Sequence, residues 1–311
     1  MSGGTIQIKR AKKSVRLGID VGGTFTDVIA MDEQSGKVYM YFKIPSTPSD
    51  PSQAVVQAIE RVRKQLLDDL RNDLVIKSLH HGTTVGTNTL IQKKGARTAL
   101  LTTEKFRDVL ELRRQIRPEL FNFFQNISPP LIPRRWRIGV KERIAFDGTI
   151  ITPLDKGQLI ESLKGLESEG IESIAICTLH SYANPEHEQL IKNEVKKKFP
   201  GIYVTCSHEV TPEFREYERL STTVVNAYIG PVVSDYIKKI ENNVEEARID
   251  DFRIVKSNGG LTSSENGRKF PVNFIESGPA AGVVAVLHLC KQMGINNVIA
   301  FDMGGTTAKV G

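Results

Sequence analysis

Residues 20–28 read DVGGTFTDV and residues 302–310 read DMGGTTAKV; five of the nine positions agree, namely Asp, Gly, Gly, Thr and the final Val. Each copy follows an apolar run, LGI at 17–19 and IAF at 299–301. Such a pattern is a strand that delivers an aspartate at its end, followed by two glycines that let the backbone turn tightly and approach a ligand without a Cβ in the way. Successive N–H groups in a turn of this kind form a concavity for anions, typically phosphate. Thr24, Thr26, Thr306 and Thr307 add hydroxyl donors, and Asp20 and Asp302 are placed to hold Mg²⁺ through water or to polarise a nucleophile. One Gly-Gly-Thr alone is as readily a plain hairpin turn. Two copies with the aspartate at the same offset favour the phosphate reading. The spacing is neither the Walker pattern G-x-x-x-x-G-K-[ST] nor the dinucleotide pattern G-x-G-x-x-G.

Working outward, residues 15–44 read as a β-meander with strands at 15–21, 26–31 and 38–44 and a turn at 33–36. Pro45, Pro48 and Pro51 break it, and Ser52 starts a helix with Ala54, Val55, Ala58, Ile59, Val62, Leu66 and Leu70 on one face. A short strand at 75–79 leads into the polar run HHGTTVGTN at 80–88, read as a loop over a cleft, where His81 is a candidate to orient a substrate carbonyl or a phosphate; a helix N-cap at Thr83 or Thr84 is the plainer alternative. A strand at 99–103 and a helix at 104–114 precede an irregular Pro- and Arg-rich stretch at 115–140, and Asp147-Gly148 marks a hairpin turn. From 153 helices (159–169, 186–199, 213–236, 278–293) alternate with strands (171–179, 203–207, 254–256, 298–302), which means α/β layers with a mostly parallel sheet.

The 311 residues are 40% hydrophobic and 25% charged, enough apolar surface for two packed domains and against a wholly disordered chain. Cys177, Cys206 and Cys290 are scattered and odd in number, so neither a disulfide framework nor a Cys-x-x-Cys metal pair is available and a reducing, cytoplasmic setting is expected. No apolar run reaches the ~20 residues a membrane helix needs. The net charge of +6 comes largely from residues 9–13 and 134–143; without a recognisable motif it reads as solvated surface and local ion pairs rather than a nucleic-acid face. His180 and His187 around NPEH read mainly as structural; in EYER at 216–219, acid and base side by side suit substrate binding, and an exposed helical salt-bridge patch fits at least as well.

The stretches LGIDVGGTFTDV, HHGTTVGTNTLIQKKGARTALLTTEKFRDVLELRRQIRPELF, CTLHSYANPEHE, EYERLSTTVVNAYIGPVV, SNGG, SGPAAGVV and FDMGGTTAKVG occur in this order. Together, from about residue 16 to 311, they resemble the hydantoinase A/5-oxoprolinase family, also called N-methylhydantoinase or acetone carboxylase-related. Paired hairpins of this kind are similar to those of the actin-like ATPase superfamily, in which two ribonuclease H-like domains each supply one phosphate hairpin. IESGPAAGVVA at 275–285 resembles that superfamily's connecting helix, with Glu276, Ala280 and Ala281 in place.

Residues 1–14 read as a flexible tail. The resemblance implies an N-terminal α/β ribonuclease H-like domain at 15–210 and the start of a second, truncated ribonuclease H-like domain at 211–311. It implies ATP and Mg²⁺. Asp20, Gly22, Gly23, Thr24 and Thr26 would form the first hairpin and Asp302, Gly304, Gly305, Thr306 and Thr307 the second, with Asp20 and Asp302 on the metal. The implied chemistry is phosphorylation of an unreactive carbonyl, leading to ring opening of a cyclic amide such as a hydantoin or 5-oxoproline, or to carboxylation of a ketone. A second hydantoinase-type subunit is the expected partner. Residue 311 falls inside the second hairpin, and family members are usually much longer. A fragment or split product that is inactive without a second polypeptide is therefore the alternative expectation. A sugar kinase of the zinc-containing kind is disfavoured, because three scattered cysteines cannot build its zinc motif.

Overall fold

The computed structural model describes residues 13–47, 49–70, 74–116, 119–122, 124, 128–303 and 308–311. Most of the expected tail lies outside these residues, but Lys13 and Ser14 already belong to the first strand. The chain forms two compact units: one takes residues up to Ile91 together with Ser234–Arg268 and Asn273–Gly311, the other Gln92–Val233 and Lys269–Val272. This interleaving differs from the single break expected near 210. A segment with its own strands and helices is inserted into the first unit, and hydrophobic periodicity reports elements, not which sheet they join.

The first unit is built on β1 (Lys13–Val21), β2 (Phe25–Asp32), β3 (Val38–Pro45), helix α1 (Ser52–Leu70), β4 (Leu74–Thr83) and α2 (Val85–Ile91). β1, β2 and β3 form the expected antiparallel meander, and β4 lies parallel to β1. Burial alternates along β1 and β2: Val15, Leu17, Ile19 and Val21 with Thr26, Val28 and Ala30 face the core. Ala54, Val55, Ala58, Ile59, Val62 and Leu66 of α1 are buried with them. Gly18, Asp20, Asp27 and Ile29 take the alternate positions. β4 runs four residues further than the sequence pattern suggested, so His80 to Thr83 belong to a strand and the expected loop at 80–88 is a strand end followed by α2.

The second unit holds β5 (Thr98–Thr103), the single turn α3 (Val109–Leu112), β6 (Arg137–Val140), the hairpin β7 (Arg143–Ile144) and β8 (Ile150–Thr152), α4 (Lys156–Gly165), β9 (Ser173–Cys177), α5 (Glu186–Lys198), β10 (Tyr203–Cys206) and α6 (Ser207–Val210). β10, β9, β5 and β6 make an all-parallel sheet in that order. Its strands are buried on both faces, as parallel sheets are. Ala99, Leu101, Ile174 and Ile176 pack with Leu159, Leu163, Ile191 and Val195, while Leu100, Ala175 and Cys177 pack with Leu110, Ile132, Leu220, Val224 and Ala227.

The expected helix at 104–114 shrinks to α3, with Lys105 and Arg113 in positive-φ conformations on either side of it. The stretch at 115–140 contributes β6, whose Arg137 is buried against Glu111. Arg134 pairs with Asp108 and Lys141 with Asp155, so local ion pairs hold much of the second basic cluster.

Helix α7 (Glu216–Glu246) passes from the second unit back to the first and continues through Pro231, ten residues beyond the expected end. β11 (Asp251–Val255) then adds parallel to β4 and β12 (Leu261–Ser263) antiparallel to β11, giving the six-stranded order β12-β11-β4-β1-β2-β3. After α8 (Ser264–Lys269) comes α9 (Ser277–Gln292), then the two-stranded pair β13 (Phe301–Met303) and β14 (Ala308–Val310).

Candidate functional site

Asp20 is the last-but-one residue of β1 and stands where β1, β4 and β11 present their C-terminal ends, the edge at which α/β sheets bind ligands. The next residues make a tight turn in which the Gly22 N–H donates to Phe25 O at 3.0 Å. A Cβ on Gly22 would lie 2.9 Å from that oxygen, so close backbone packing demands glycine there. Ser46 fastens the turn from β3's end: its hydroxyl donates to Gly22 O at 2.8 Å and its N–H to Thr24 O at 2.9 Å. Gly23 and Thr24 are left exposed at the tip.

Below the turn lies a cavity of about 410 Å³ lined by Asp20, Asp27, Gly82, Gly278 and Asp302, among others. That volume is in the range of small-ligand sites. Its far wall is α9, which presents the small residues Gly278, Ala281, Gly282 and Ala285 at helical spacing. The start of α9 is fixed to the end of β4, where Ser277 Oγ donates to Thr83 O at 3.0 Å and accepts from Thr83 N at 3.2 Å. Asp20 is open to the cavity yet ringed by protein atoms. That enclosure first, then Asp27, then Asp302, raise its carboxyl from 3.8 to about 6. Carboxylates crowded in this way welcome a cation, and their hard oxygens suit Mg²⁺.

The structure therefore brings Asp20 and Asp302 to one cavity. Gly304, Gly305, Thr306 and Thr307 lie outside the described residues. Thr26 does not serve as a phosphate donor: it is fully buried on the core side of β2, bonded to Ser46 Oγ at 2.9 Å. His81 does not reach a ligand either. It is fully buried, its Nδ1–H donates to Ile19 O at 3.0 Å, and its Nε2 accepts from the Tyr236 hydroxyl at 2.8 Å. Burial pushes its imidazole down from 6.5 to about 4, which keeps it neutral. Its role is to tie β1, β4 and α7 together beneath the turn.

Sequence reasoning missed Asp27. It is the cross-strand partner of Asp20 and lines the same cavity, where Tyr41 donates to it at 2.8 Å and Lys43 stands 3.3 Å away. The signal was available: counting back from the turn on both strands pairs residue 20 with residue 27.

In the second unit, Glu188, Cys206 and His208 form a trio within metal-ligand reach. The Glu188 carboxylate, however, already accepts from Thr178 N, Ser207 Oγ, His208 N and His208 Nδ1. Four donors fill it, so it is a hydrogen-bond hub that anchors α5 to β9 and α6. Arg219, expected on an exposed patch, is buried and donates to Thr178 O at 2.9 Å and to Ser207 Oγ at 2.7 Å. His180 and His187 are structural as expected, bonded to Ile144 O and to Glu142. All three cysteines are free and buried. Among the described residues no helix is long and apolar enough to cross a membrane.

A family model described as the hydantoinase/oxoprolinase N-terminal region matches residues 16–199, and one described as hydantoinase/oxoprolinase matches residues 219–311. An uncharacterized protein of Methanocaldococcus jannaschii is 41% identical over 298 residues, covering 94% of this chain and 43% of the relative. The caprolactamase subunit alpha of Pseudomonas jessenii is 39% identical over 307 residues, covering 96% and 43%. The crystal structure of that organism's ATP-dependent caprolactamase superposes with a TM-score of 0.82 at 37% identity, covering 95% of this chain and 43% of the other. A nucleotide-free acetone carboxylase, from work on ATP-dependent acetone carboxylation, superposes with a TM-score of 0.84 at 28% identity, covering 96% and 44%. The chain thus spans less than half the length of these relatives.

Proposed function

Because the chain belongs to the hydantoinase/oxoprolinase family, we propose that it forms the nucleotide-handling part of an ATP-dependent enzyme that activates a carbonyl group, opening a cyclic amide of the hydantoin, 5-oxoproline or caprolactam type. The observation that carries this reading is the convergence of Asp20 and Asp302, each at the end of a strand before Gly-Gly-Thr, on one cavity. The strand order β3-β2-β1-β4-β11, with β2 alone antiparallel to the rest, supports a ribonuclease H-like unit.

Asp20 and Asp302 would hold Mg²⁺, with Asp27 adding negative charge beside them. The metal, when bound, supplies charge neutralisation on the transferring phosphoryl group. The exposed tip at Gly23 and Thr24 is the part of the first turn free to meet a phosphate. The amide carbonyl oxygen takes the γ-phosphoryl group as ADP leaves. One water then adds to the activated carbon and the ring C–N bond breaks, which frees the amine and leaves an acyl phosphate; a second water cleaves that acyl phosphate to carboxylate and phosphate. A lactam carbonyl is too poor an electrophile to react without that step, which is why ATP is required.

The likeness to acetone carboxylase keeps a second reading in view, with a ketone as the activated carbonyl. Both readings expect a second subunit. The test is ADP release by the full assembly against a panel of hydantoin, 5-oxoproline, caprolactam, and acetone with hydrogen carbonate. Stimulation by the cyclic amides supports the first reading and stimulation only by ketone with hydrogen carbonate the second. No stimulation by any member removes both.

A further inference from the structure

We propose that Gly82 is a positioning residue of the cation site: its missing side chain is the space in which the Asp20 carboxylate stands. This rests on the reading of Asp20 as a cation ligand. Gly82 lies in β4 directly beside Asp20 in the parallel register, and β4 is an inner strand between β1 and β11. Gly82 is the last-but-one residue of β4, still paired in the sheet, where a glycine supplies no side-chain packing. Backbone conformation is not the reason for a glycine there, since Gly82 is absent from the positive-φ glycines and sits in ordinary extended chain.

Space is the reason. A Cβ on residue 82 would fall 2.6 Å from Asp20 Oδ1, 3.3 Å from Cγ and 3.6 Å from Cβ, and these three nearest atoms all belong to Asp20. Packing against α9 is therefore not what limits the position. Across the cavity, a Cβ on Gly278 would stand 3.5 Å from both Asp20 oxygens, an ordinary contact. The carboxylate thus lies between two glycines, one of which it needs and the other of which it merely touches. The atom that an alanine at 82 would displace is the end of a rotatable side chain. The fold can absorb the change by turning Asp20, but the site cannot, because the turned carboxylate no longer faces Asp302 and the cavity.

The test is Mn²⁺ binding, followed by electron paramagnetic resonance and by calorimetry, with metal-free thermal melting beside it. It compares the full-length parent protein with Gly82→Ala, Gly278→Ala and Asp20→Asn. Gly82→Ala is expected to weaken Mn²⁺ about tenfold or more, in the range seen when the support of a metal ligand is removed. Its melting temperature is expected to fall by no more than about 2 °C. Gly278→Ala, whose Cβ would meet the carboxylate only at 3.5 Å, is expected to weaken Mn²⁺ less than Gly82→Ala does. Parent-like Mn²⁺ binding by Gly82→Ala while Asp20→Asn loses it would overturn the inference and leave the ligand reading standing. Parent-like binding by Asp20→Asn as well would remove the ligand reading itself. If Gly82→Ala is unstable, its melting is compared in the Asp20→Ala background. Recovery there identifies Asp20 as the atom in the way, and an equal loss in both backgrounds assigns Gly82 to backbone packing and refutes the proposal.

Discussion

The hairpins at 20–28 and 302–310 keep Asp, Gly, Gly, Thr and Val, but they differ in their neighbours and in the charges beside the aspartate. The first is bonded into a six-stranded sheet through β1 and β4, with Ile19 and Val21 buried. In the second, β13 pairs with β14 among the described residues. Across each turn the aspartate faces a different residue: Asp20 lies opposite Asp27, Asp302 opposite Lys309. Likewise Thr26, buried in the first, is matched by Ala308 in the second. The shared letters specify a strand end, a turn and a carboxylate. The letters that differ specify what surrounds them, and it is the surroundings that make Asp20 the crowded carboxylate.

If that asymmetry matters, Asp20 should be the more sensitive of the two. In the full assembly, Asp20→Ala is expected to lower ATP turnover about a thousandfold, the scale of losing a principal electrostatic contact in phosphoryl transfer. Steady-state ADP release, with circular dichroism to confirm folding, checks this. Asp302→Ala should cost less, because its removal leaves the Asp20 and Asp27 pair in place. Normal turnover by a folded Asp20→Ala protein would end the comparison.

Acid should loosen the first hairpin from below. His81 is held neutral near 4 in the folded protein against 6.5 unfolded, so the unfolded chain takes up the proton first as pH falls. Its contribution to stability is complete above about 6.5 and is lost progressively down to about 4, a change of about 3 kcal/mol at 1.36 kcal/mol per unit. Asp20 titrates in the opposite sense, its raised carboxyl favouring the folded state as pH falls. Urea unfolding between pH 4.5 and 7 is therefore compared in an Asp20→Asn background with and without His81→Asn. A slope that survives the loss of His81 assigns the acid sensitivity elsewhere.

The charge difference can be tested by making the first hairpin resemble the second. Asp27→Asn removes one of the two neighbours that raise Asp20 and frees Lys43 and Tyr41 from their partner. Mn²⁺ affinity is expected to fall by about threefold to tenfold, the scale of one charge interacting through a wet cavity. Unchanged affinity would mean that Asp27 belongs to the Tyr41 and Lys43 contacts and not to the site.

Much of this was legible in the sequence, and what was not has a physical cause. The meander, α1 and the β5 and β9 strands were readable because period-two and period-3.6 patterns survive without knowledge of partners. The end of β4 was not, because His81 and Thr83 look like loop residues until their partners, Ile19, Tyr236 and Ser277, are seen. Those partners are distant in sequence. The membership of the two units was hidden for the same reason: nothing between Ile91 and Ser234 announces that the sheet begun by β1 is completed by β11. The family motif overreached in one place, at Thr26, where a hydroxyl that looks like a ligand donor is a core residue.

Thr26 gives the smallest expected effect and the clearest separation of motif from site. Ser46 has one hydroxyl hydrogen and gives it to Gly22 O, so in the Thr26–Ser46 bond Thr26 must be the donor. Thr26→Val keeps the β-branched shape beside Val28 and Ala30 and deletes only that bond, leaving Ser46 still attached to the turn. The expected cost is about 1 kcal/mol of stability, the net worth of one such hydrogen bond. Mn²⁺ and ATP affinities should stay within about twofold, since the hydroxyl faces away from the cavity. Thermal melting and calorimetric titration on the same preparation separate the two quantities. A loss of nucleotide affinity larger than the loss of stability would return Thr26 to the phosphate site and show that both hairpins, despite Ala308, use that position in the same way.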